Sequence, residues 1–357
     1  MDPTRPNVDS PSERIGDMPI GRVTRQGATA TSDEPGTIRI SAVIGDKVEE
    51  AEGAAALARL PGLCGQPEAA IWVDLISPNP SQAKEVADAL SLHPLILEDV
   101  LEGNQRAKIE ATDGTVHIVL FHLDYTEQVV ASEIDFVLGP GYVLTVHAAA
   151  WDPRNGHHLA AGVAPILKRG PDHLLWAIAD DLIDGYFPFA DRIGDAIDEV
   201  QDEVVRNATP ETLERVFLLK RELIQVRRAI GPVREVFNQL TNRDEKLIDP
   251  DELVYFRDIY DHVIRLTDEL DNYRELASAT LDVYLTQINN NLSYIMKRLT
   301  GVTVILAGVG AVGGVFGMSE ATGVIGGGDH LGFWLVTGAI VAMAGVATLV
   351  LRKIGWI

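Results

Sequence analysis

Two long runs without a charged residue, close to the C-terminus, constrain this chain more than any other feature. They cover residues 299–319 and 331–351, and a short segment at 320–330 separates them. At the rise of an α-helix, each run is long enough to cross a hydrocarbon core of about 30 Å. Backbone polar groups in lipid must be satisfied within the segment, so each run is predicted to be a transmembrane helix.

Basic residues flank the two predicted spans on one side only. Lys297 and Arg298 precede the first span, Arg352 and Lys353 follow the second, and the connecting segment contains neither Lys nor Arg. Positively charged flanks stay in the cytoplasm. We therefore predict a two-span protein of the cell inner membrane, with both termini cytoplasmic, a periplasmic loop between the spans and a basic cytoplasmic end at 352–357.

The composition limits the classes of ligand. Asp and Glu number 52 against 30 Lys and Arg, which gives a formal net charge of −22. A polyanion does not attract nucleic acid through its bulk charge, whereas carboxylates suit hydrated cations such as Mg²⁺. The single cysteine, Cys64, excludes an internal disulfide and a thiolate-rich metal site. We expect divalent cations as the ligands and no nucleic-acid partner.

The sequence before the two predicted spans divides into segments of different composition and periodicity. Residues 1–36 are polar and rich in proline, so they are predicted to form a disordered tail. Residues 37–165 alternate strand-like and helix-like segments, which predicts a cytoplasmic α/β domain. The predicted strands are Thr37–Ile44, 70–75, 116–121, 132–138 and 142–146, and the predicted helices are 81–90, with Ser81 as N-cap, and 94–101.

Strand patterns stop after this domain. Residues 166–250 are predicted to form an antiparallel pair of long helices, at 172–206 and 210–238, which Pro188 and Pro232 should kink or interrupt. The first helix carries an acidic stripe at steps of three and four residues. Its members are Asp191, Asp195, Asp198 and Asp202. The stripe is either a solvated face or a surface whose repulsion cations relieve.

Residues 251–319 are predicted to form one helix, a stalk that continues into the first span, because the segment contains no proline. Such a rod cannot bury its apolar seam alone, and two spans do not enclose a pore, so the chain should self-associate. Glycines four residues apart, such as Gly310 and Gly314, favour close packing of membrane helices. A mostly apolar lining is predicted to form a gate at Met296, Leu299, Thr303 and Ala307.

Several motifs together carry a resemblance to a known family. They are HPLILEDV at 93–100, QRAK at 105–108, DHLLW at 172–176, DGYFP at 184–188, YFRDIYDH at 255–262, DVYL at 282–285 and MKRLT at 296–300. The chain resembles the CorA family of divalent-cation channels, whose other branch includes the ZntB zinc transporters. The resemblance implies a homopentameric funnel, with the first span lining the pore and the α/β domain outside the stalk helices.

The resemblance also implies a regulatory metal site. In that family, metal bound between the cytoplasmic domains of neighbouring subunits holds the channel shut. The matching residues here are Glu98, Asp99, Asp184 and Asp258. Carboxylates from two subunits repel one another unless a divalent ion neutralises them. Alternatively, these acids are helix caps or ion pairs, with Arg257 and Lys108 as partners.

The chain departs from the family at the outer end of the first span. The family signature Gly-Met-Asn is here Gly317, Met318 and Ser319, which are the expected selectivity residues. A serine hydroxyl is shorter than an asparagine amide and holds a hydrated ion less well. The loop that begins at Glu320 and contains Asp329 and His330 is more similar to that of ZntB.

Three functions remain open from the sequence. The first is a channel for Mg²⁺ and Co²⁺ that cytoplasmic metal binding gates, the second is a ZntB-like Zn²⁺ transporter, and the third is a non-conducting membrane-anchored metal sensor. Enzymatic activity is not expected, because His122, His147 and the pair His157 and His158 show no ligand spacing and no P-loop is present. The expected partners are copies of the same chain and the lipid bilayer, and no other protein partner is inferred.

Overall fold

The computed structural model describes residues 24–26, 35–64, 66, 68–103, 105–125, 129–242, 247–317 and 331–356. The strands are β1 Thr24–Gln26, β2 Thr37–Ile44, β3 Lys47–Glu52, β4 Ala69–Ile76, β5 Lys108–Thr112, β6 Thr115–Tyr125, β7 Val129–Gly139 and β8 Tyr142–His147. The helices are α1 Ala54–Cys64, α2 Pro80–Leu90, α3 Pro94–Glu102, α4 Ala164–Leu167, α5 Pro171–Asp184, α6 Tyr186–Arg206, α7 Pro210–Asn242, α8 Leu253–Gly317 and α9 Leu331–Lys353.

The strands form one mixed sheet in the order β3-β2-β4-β8-β7-β6-β5, and β1 pairs with β7. The pairs β4–β8 and β1–β7 are parallel, and the other neighbours are antiparallel. The central strands β4 and β8 are buried almost throughout, as expected for runs of β-branched and aromatic residues. Helix α1 packs on β2, β3 and β4, and α5 packs on β7 and β8, so both faces of the sheet are covered.

Two local predictions, for the tail and for the start of α2, are wrong. The predicted disordered tail contains a strand, because Thr24–Gln26 pairs in parallel with residues 130–132 of β7. The N-cap of α2 is Asn79 instead of Ser81. Its side chain accepts a hydrogen bond from the Gln82 backbone, and Gln82 returns one to the Asn79 backbone. Pro80 then starts the helix, where its missing N–H has no cost.

The predicted helix at 172–206 is two helices. Helix α5 ends at Asp184, Gly185 follows, and α6 begins at Tyr186, so Pro188 lies in the first turn of α6. Pro232 lies inside α7, which extends to Asn242. Arg215 pairs with Glu199 at 3.1 Å and joins α7 to α6, while Arg227 binds Asp271 through Nε and Nη2 at 2.5 and 2.7 Å and joins α7 to α8.

The chain divides into two compact units. Residues 1–202 and 210–280 form the first, which contains the sheet, and residues 203–209 and 281–357 form the second. Helix α8 runs without interruption from Leu253 to Gly317 and contributes to both. Within the described residues, this helix has a stretch long and apolar enough to cross a membrane, with a mean hydropathy of 1.6. Helix α9 lies at the second uncharged run, and its assignment as a second span stays a prediction.

Candidate functional site

Two of the predicted metal ligands meet at a histidine. Asp184 at the end of α5 places Oδ1 3.3 Å from Nδ1 of His262, and Asp258, one turn earlier on α8, places Oδ2 3.9 Å from Nε2 of His262. The two carboxylates are 49% and 68% exposed, so they face solvent while the imidazole is 27% exposed. The arrangement presents oxygen and nitrogen donors at one place.

A third carboxylate, Asp180, completes this cluster. Asp180 lies one turn before Asp184 on α5, and ligand atoms of Asp180, Asp184 and His262 all lie within 4.8 Å of one another. Burial raises the pKa of Asp180, the charge of Asp184 raises it further, and the hydrogen bond from His158 at 2.8 Å opposes both. Two carboxylates this close repel one another, and a bound cation would relieve that repulsion.

A second cluster lies beside the first. Asp181 Oδ1 is 3.1 Å from Nδ1 of His157, and Asp181 Oδ2 accepts a hydrogen bond from the His158 backbone at 3.1 Å. Ligand atoms of the three residues lie within 4.8 Å of one another. The expectation that His157 and His158 form no ligand-spaced cluster is therefore wrong, because the third ligand comes from α5, remote in sequence.

The other two predicted metal ligands occupy α3. Glu98 is exposed, whereas Asp99 is half-buried and accepts hydrogen bonds from Lys108 Nζ at 2.6 Å and from Gln105 Nε2 at 3.1 Å. Lys108 also binds Glu110 at 3.0 Å. Burial lowers the pKa of Lys108, but its hydrogen bonds to Asp99 and Glu110 and their charges outweigh this effect and raise the pKa above its usual value. Within one chain, Asp99 is thus an ion-pair partner of Lys108, one of the two alternatives that the sequence left open.

The predicted gate residues lie on one face of α8. Met296, Leu299, Thr303 and Ala307 follow one another at steps of three and four, and all four are exposed. The Thr303 hydroxyl donates to the Leu299 carbonyl at 2.7 Å, which leaves methyl and other apolar groups to define this surface. Gly317 ends α8. The remaining predicted pore and loop residues, Met318, Ser319, Glu320, Asp329 and His330, lie outside the described residues.

The sequence reasoning missed His262 and Asp180. Both lie four residues from a predicted ligand on the same helix, His262 after Asp258 and Asp180 before Asp184. Residues four apart share a helix face, so this spacing was the signal that could have found them. The donor set fits divalent cations, since carboxylate oxygens suit Mg²⁺ and an imidazole additionally suits Co²⁺ or Zn²⁺.

Comparison with known proteins identifies the family. The sequence profile described as CorA-like Mg²⁺ transporter protein matches residues 67–353. The chain belongs to this family. As a CorA-like chain it is 33% identical over 243 residues to the cobalt/magnesium transport protein CorA of Thermotoga maritima, which is 66% of this chain and 69% of the relative. It is also 26% identical over 203 residues to the zinc transport protein ZntB of Cronobacter sakazakii, which is 56% of this chain and 60% of that relative.

Solved structures confirm the CorA-like fold. The complete structure of the CorA magnesium transporter from Methanocaldococcus jannaschii matches with a TM-score of 0.73 and 18% identity, over 92% of this chain and 100% of that one. The full-length CmaX protein matches with a TM-score of 0.64 and 19% identity, over 91% of this chain and 99% of the other. The predicted combination of an α/β domain with a long stalk helix is therefore confirmed.

Proposed function

We propose that five copies of this chain form a channel for divalent cations, Mg²⁺ and Co²⁺ above all, in the cell inner membrane, with both termini in the cytoplasm. Membership of a family of ion transporters supports the class of activity, and the relative in Thermotoga maritima bears the name of a cobalt and magnesium transport protein. The family also argues against an enzymatic role.

The convergence of Asp184 and Asp258 on His262 carries this proposal. The two carboxylates come from two helices and approach different ring nitrogens of His262, and a divalent cation would neutralise their charges. Asp180 adds a buried carboxylate to the same group. With Glu98 and Asp99 of a neighbouring subunit, these acids would bind regulatory cations between subunits when the cytoplasmic concentration is high.

Helix α8 offers a direct route from metal binding to the pore. It contains Asp258 and His262 near its start and the gate residues Met296 and Leu299 near the predicted membrane boundary. An apolar constriction excludes ions by losing its water, and it conducts only when it widens. Loss of the regulatory cation would favour the wider state, because the cation stabilises only the closed arrangement of the subunits.

Zinc transport is the second candidate. His262 brings an imidazole into the cluster, and imidazole suits Zn²⁺ better than Mg²⁺. The ZntB relatives point the same way. A non-conducting metal sensor would keep the cytoplasmic cluster but would not transport ions. Ser319 in place of the family's asparagine is the reason to test this alternative.

Metal uptake into liposomes tests these functions directly. The purified chain is reconstituted, and the uptake of Mg²⁺, Co²⁺, Ni²⁺ and Zn²⁺ is followed with entrapped fluorescent indicators, with and without a pH gradient. We expect Mg²⁺ and Co²⁺ to enter without a gradient. A matched pair of variants, Asp258→Asn and Asp268→Asn, changes one exposed carboxylate on the same helix, and only the first should weaken closure by internal Mg²⁺.

Each alternative gives a different result in this assay. Uptake that is restricted to Zn²⁺ and depends on a pH gradient would show that the chain is a zinc transporter and not a Mg²⁺ channel. Absence of any flux, with metal binding to the purified protein retained, would establish the sensor. An equal response of Asp258→Asn and Asp268→Asn to internal Mg²⁺ would remove Asp258 from the gating site.

A further inference from the structure

A buried histidine in the sheet has one ring nitrogen fixed and the other free. His117 on β6 is 1% exposed, and its Nε2 lies 2.8 Å from Oδ1 of Asp135 on β7, which is itself fully buried. A carboxylate accepts a hydrogen bond, so the pair places a proton on Nε2 and a lone pair on Nδ1 of the neutral ring. Within the described part of the chain, His117 Nδ1 is buried and has no hydrogen-bond partner.

Two carboxylates surround that free nitrogen. Glu110 on β5 is directly opposite His117 in the antiparallel register, and opposite residues project from the same face of a sheet. Asp99 reaches the same place from α3, with Oδ2 4.0 Å from His117 Nδ1. Ligand atoms of Asp99, Glu110 and His117 all lie within 4.8 Å of one another. Three consecutive elements, α3, β5 and β6, thus bring two oxygen donors and one nitrogen donor together.

A cationic group already occupies the space between the carboxylates. Lys108 Nζ lies 2.6 Å from Asp99 Oδ2 and 3.0 Å from Glu110 Oε2. An ammonium has no lone pair to offer, and it donates only to the oxygens, so it leaves His117 Nδ1 unused. A metal ion would bind all three donors at once. Lys108 stands on an edge strand and is long enough to swing away into solvent.

We propose that Asp99, Glu110 and His117 bind a first-row transition-metal ion such as Co²⁺ or Zn²⁺, with Lys108 as an internal competitor. Asp135 acts as a positioning residue that orients the His117 ring, an arrangement common around histidine ligands of metals. Bonds of about 2.0–2.2 Å place tetrahedral ligand atoms about 3.3–3.6 Å apart, which small side-chain rotations reach from the observed separations. Glu110 is 56% exposed, which provides a path for entry and leaves room for water as a fourth ligand.

This site has the same types of donor as the cluster at His262. The two differ in the origin of their ligands, because the gating site is proposed to lie between subunits. An imidazole and two carboxylates bind Zn²⁺ or Co²⁺ far better than Mg²⁺, which prefers oxygen donors and its own water. The ligands all come from one chain, so the site requires neither a pentamer nor transport. Asp99 belongs to both proposals, and a transition metal held here would withdraw it from a role between subunits.

Cobalt titration of the full chain in detergent tests the site, because Co²⁺ with a nitrogen ligand in tetrahedral geometry has a characteristic visible absorption. The titration is done in excess Mg²⁺, which suppresses sites made of oxygen alone. We expect His117→Gln to weaken the Co²⁺ affinity by at least about tenfold, and Asp135→Asn by about tenfold, as is typical for a lost ligand and a lost outer partner. Lys108→Met should increase the affinity severalfold, because the competing ammonium is gone.

Other histidines provide the matched controls. The double variant His157→Gln, His158→Gln removes the imidazoles of the neighbouring cluster, and His262→Gln removes that of the proposed gating site. Co²⁺ bound at those clusters contributes a separate component of the absorption, so each control should still show the component that is missing from His117→Gln. Loss of the signal in the controls with retention in His117→Gln would overturn the proposal. Because His117 is buried and its variant can fail to fold, the increase expected for Lys108→Met is decisive by itself, and an unchanged or weaker affinity there would also overturn it.

Discussion

Nδ1 of His262 lies 3.3 Å from Oδ1 of Asp184, so that the end of α5 and the start of α8 contribute to one group of candidate metal ligands. Within the described residues, His262 Nδ1 has no hydrogen bond, because this approach is close in distance but unfavourable in angle. Asp258 reaches the other ring nitrogen at 3.9 Å. The histidine therefore stands between two carboxylates, where a metal bound to the ring would also be close to both of them.

His262 is expected to determine which metals the cluster prefers. His262→Gln should raise the concentration of Co²⁺ or Zn²⁺ needed to protect the soluble part from protease by about tenfold, because a nitrogen ligand is lost. Protection by Mg²⁺ should change less, since the carboxylates at Asp180, Asp184 and Asp258 remain. Limited proteolysis at stepwise metal concentrations measures both. An equal loss for Mg²⁺ and Co²⁺ would contradict a ligand role for the imidazole.

A double variant tests Asp99 and Asp258, two of the acids that are proposed to bind regulatory cations between subunits. The double variant Asp99→Ala, Asp258→Ala should lose the protease protection that millimolar Mg²⁺ gives the wild type, because each side of the proposed site loses its carboxylate. The control is Asp88→Ala, Asp268→Ala, which removes two exposed carboxylates from α2 and α8. Unchanged protection in the first double variant would assign Asp99 and Asp258 to structure alone.

Glu222 is expected to make stability depend on pH. Its side chain is 4% exposed on α7, and burial raises its pKa from 4.5 to about 7. Between these values the folded state keeps a proton that the unfolded chain releases. Its contribution to stability is therefore complete below pH 4.5 and is lost as the pH rises to about 7, with a cost on the order of 3 kcal/mol.

Replacement of Glu222 by the neutral glutamine removes this pH-dependent contribution to stability. The unfolding temperature of Glu222→Gln, relative to that of the wild type, should rise between pH 4.5 and about 7 and then stay constant. Glu214→Gln, at an exposed position of the same helix, should show no such trend. Thermal unfolding followed by intrinsic fluorescence at several pH values measures the difference, and parallel curves for the two variants would show that Glu222 ionises freely in the folded state.

The central strands were predictable from the sequence, whereas the edge strands were not. Thr37–Ile44 has the predicted bounds, because most of its residues are β-branched and its buried positions are mostly apolar. Besides β1, the missed strands are β3 and β5, which stand at the two ends of the strand order. Edge strands carry charged residues, as in KVEEAE, so their composition resembles that of a loop. Helix α1 was missed because Pro61 and Gly62, near its end, indicate a turn.

The candidate-site residues that lie within one helix were predictable from the motifs and from helix spacing. The family motifs gave Asp99, Asp184 and Asp258, and spacing on α8 would have added His262. For Asp99 the sequence left two alternatives open, a metal site between subunits and an ion pair with Lys108. The motif residues alone do not distinguish them. The cluster of His157 and His158 with Asp181, and that of Glu110 with His117, arise from tertiary and cross-strand contacts. Such contacts require the register of the sheet, which periodicity alone does not provide.

The seam of α8 is expected to hold the oligomer together. Ile288, Leu292, Ile295 and Leu299 repeat at steps of four, three and four, and they are 38%, 56%, 59% and 58% exposed. A row of exposed apolar residues at this spacing is typical of a helix that packs on its symmetry mates. Leu292→Glu should shift the homopentamer that we propose towards smaller species in native mass spectrometry, and Asn290→Glu, about half a turn away, should not. A wild-type chain that is only monomeric or dimeric would refute the pentamer.

Ser319 is expected to set selectivity if the chain conducts. The family has an asparagine here, and a serine hydroxyl, although shorter, still offers lone pairs and a donor to the water around an ion. Ser319→Asn should therefore raise the affinity or selectivity for hydrated Mg²⁺ in liposome uptake, and Ser319→Ala should lower uptake further. A sensor would respond differently, with no uptake by the wild type and recovery in Ser319→Asn. Equal uptake by all three chains would exclude the Ser319 side chain from the selectivity site, because removal of its hydroxyl would then have no effect on the passing ion.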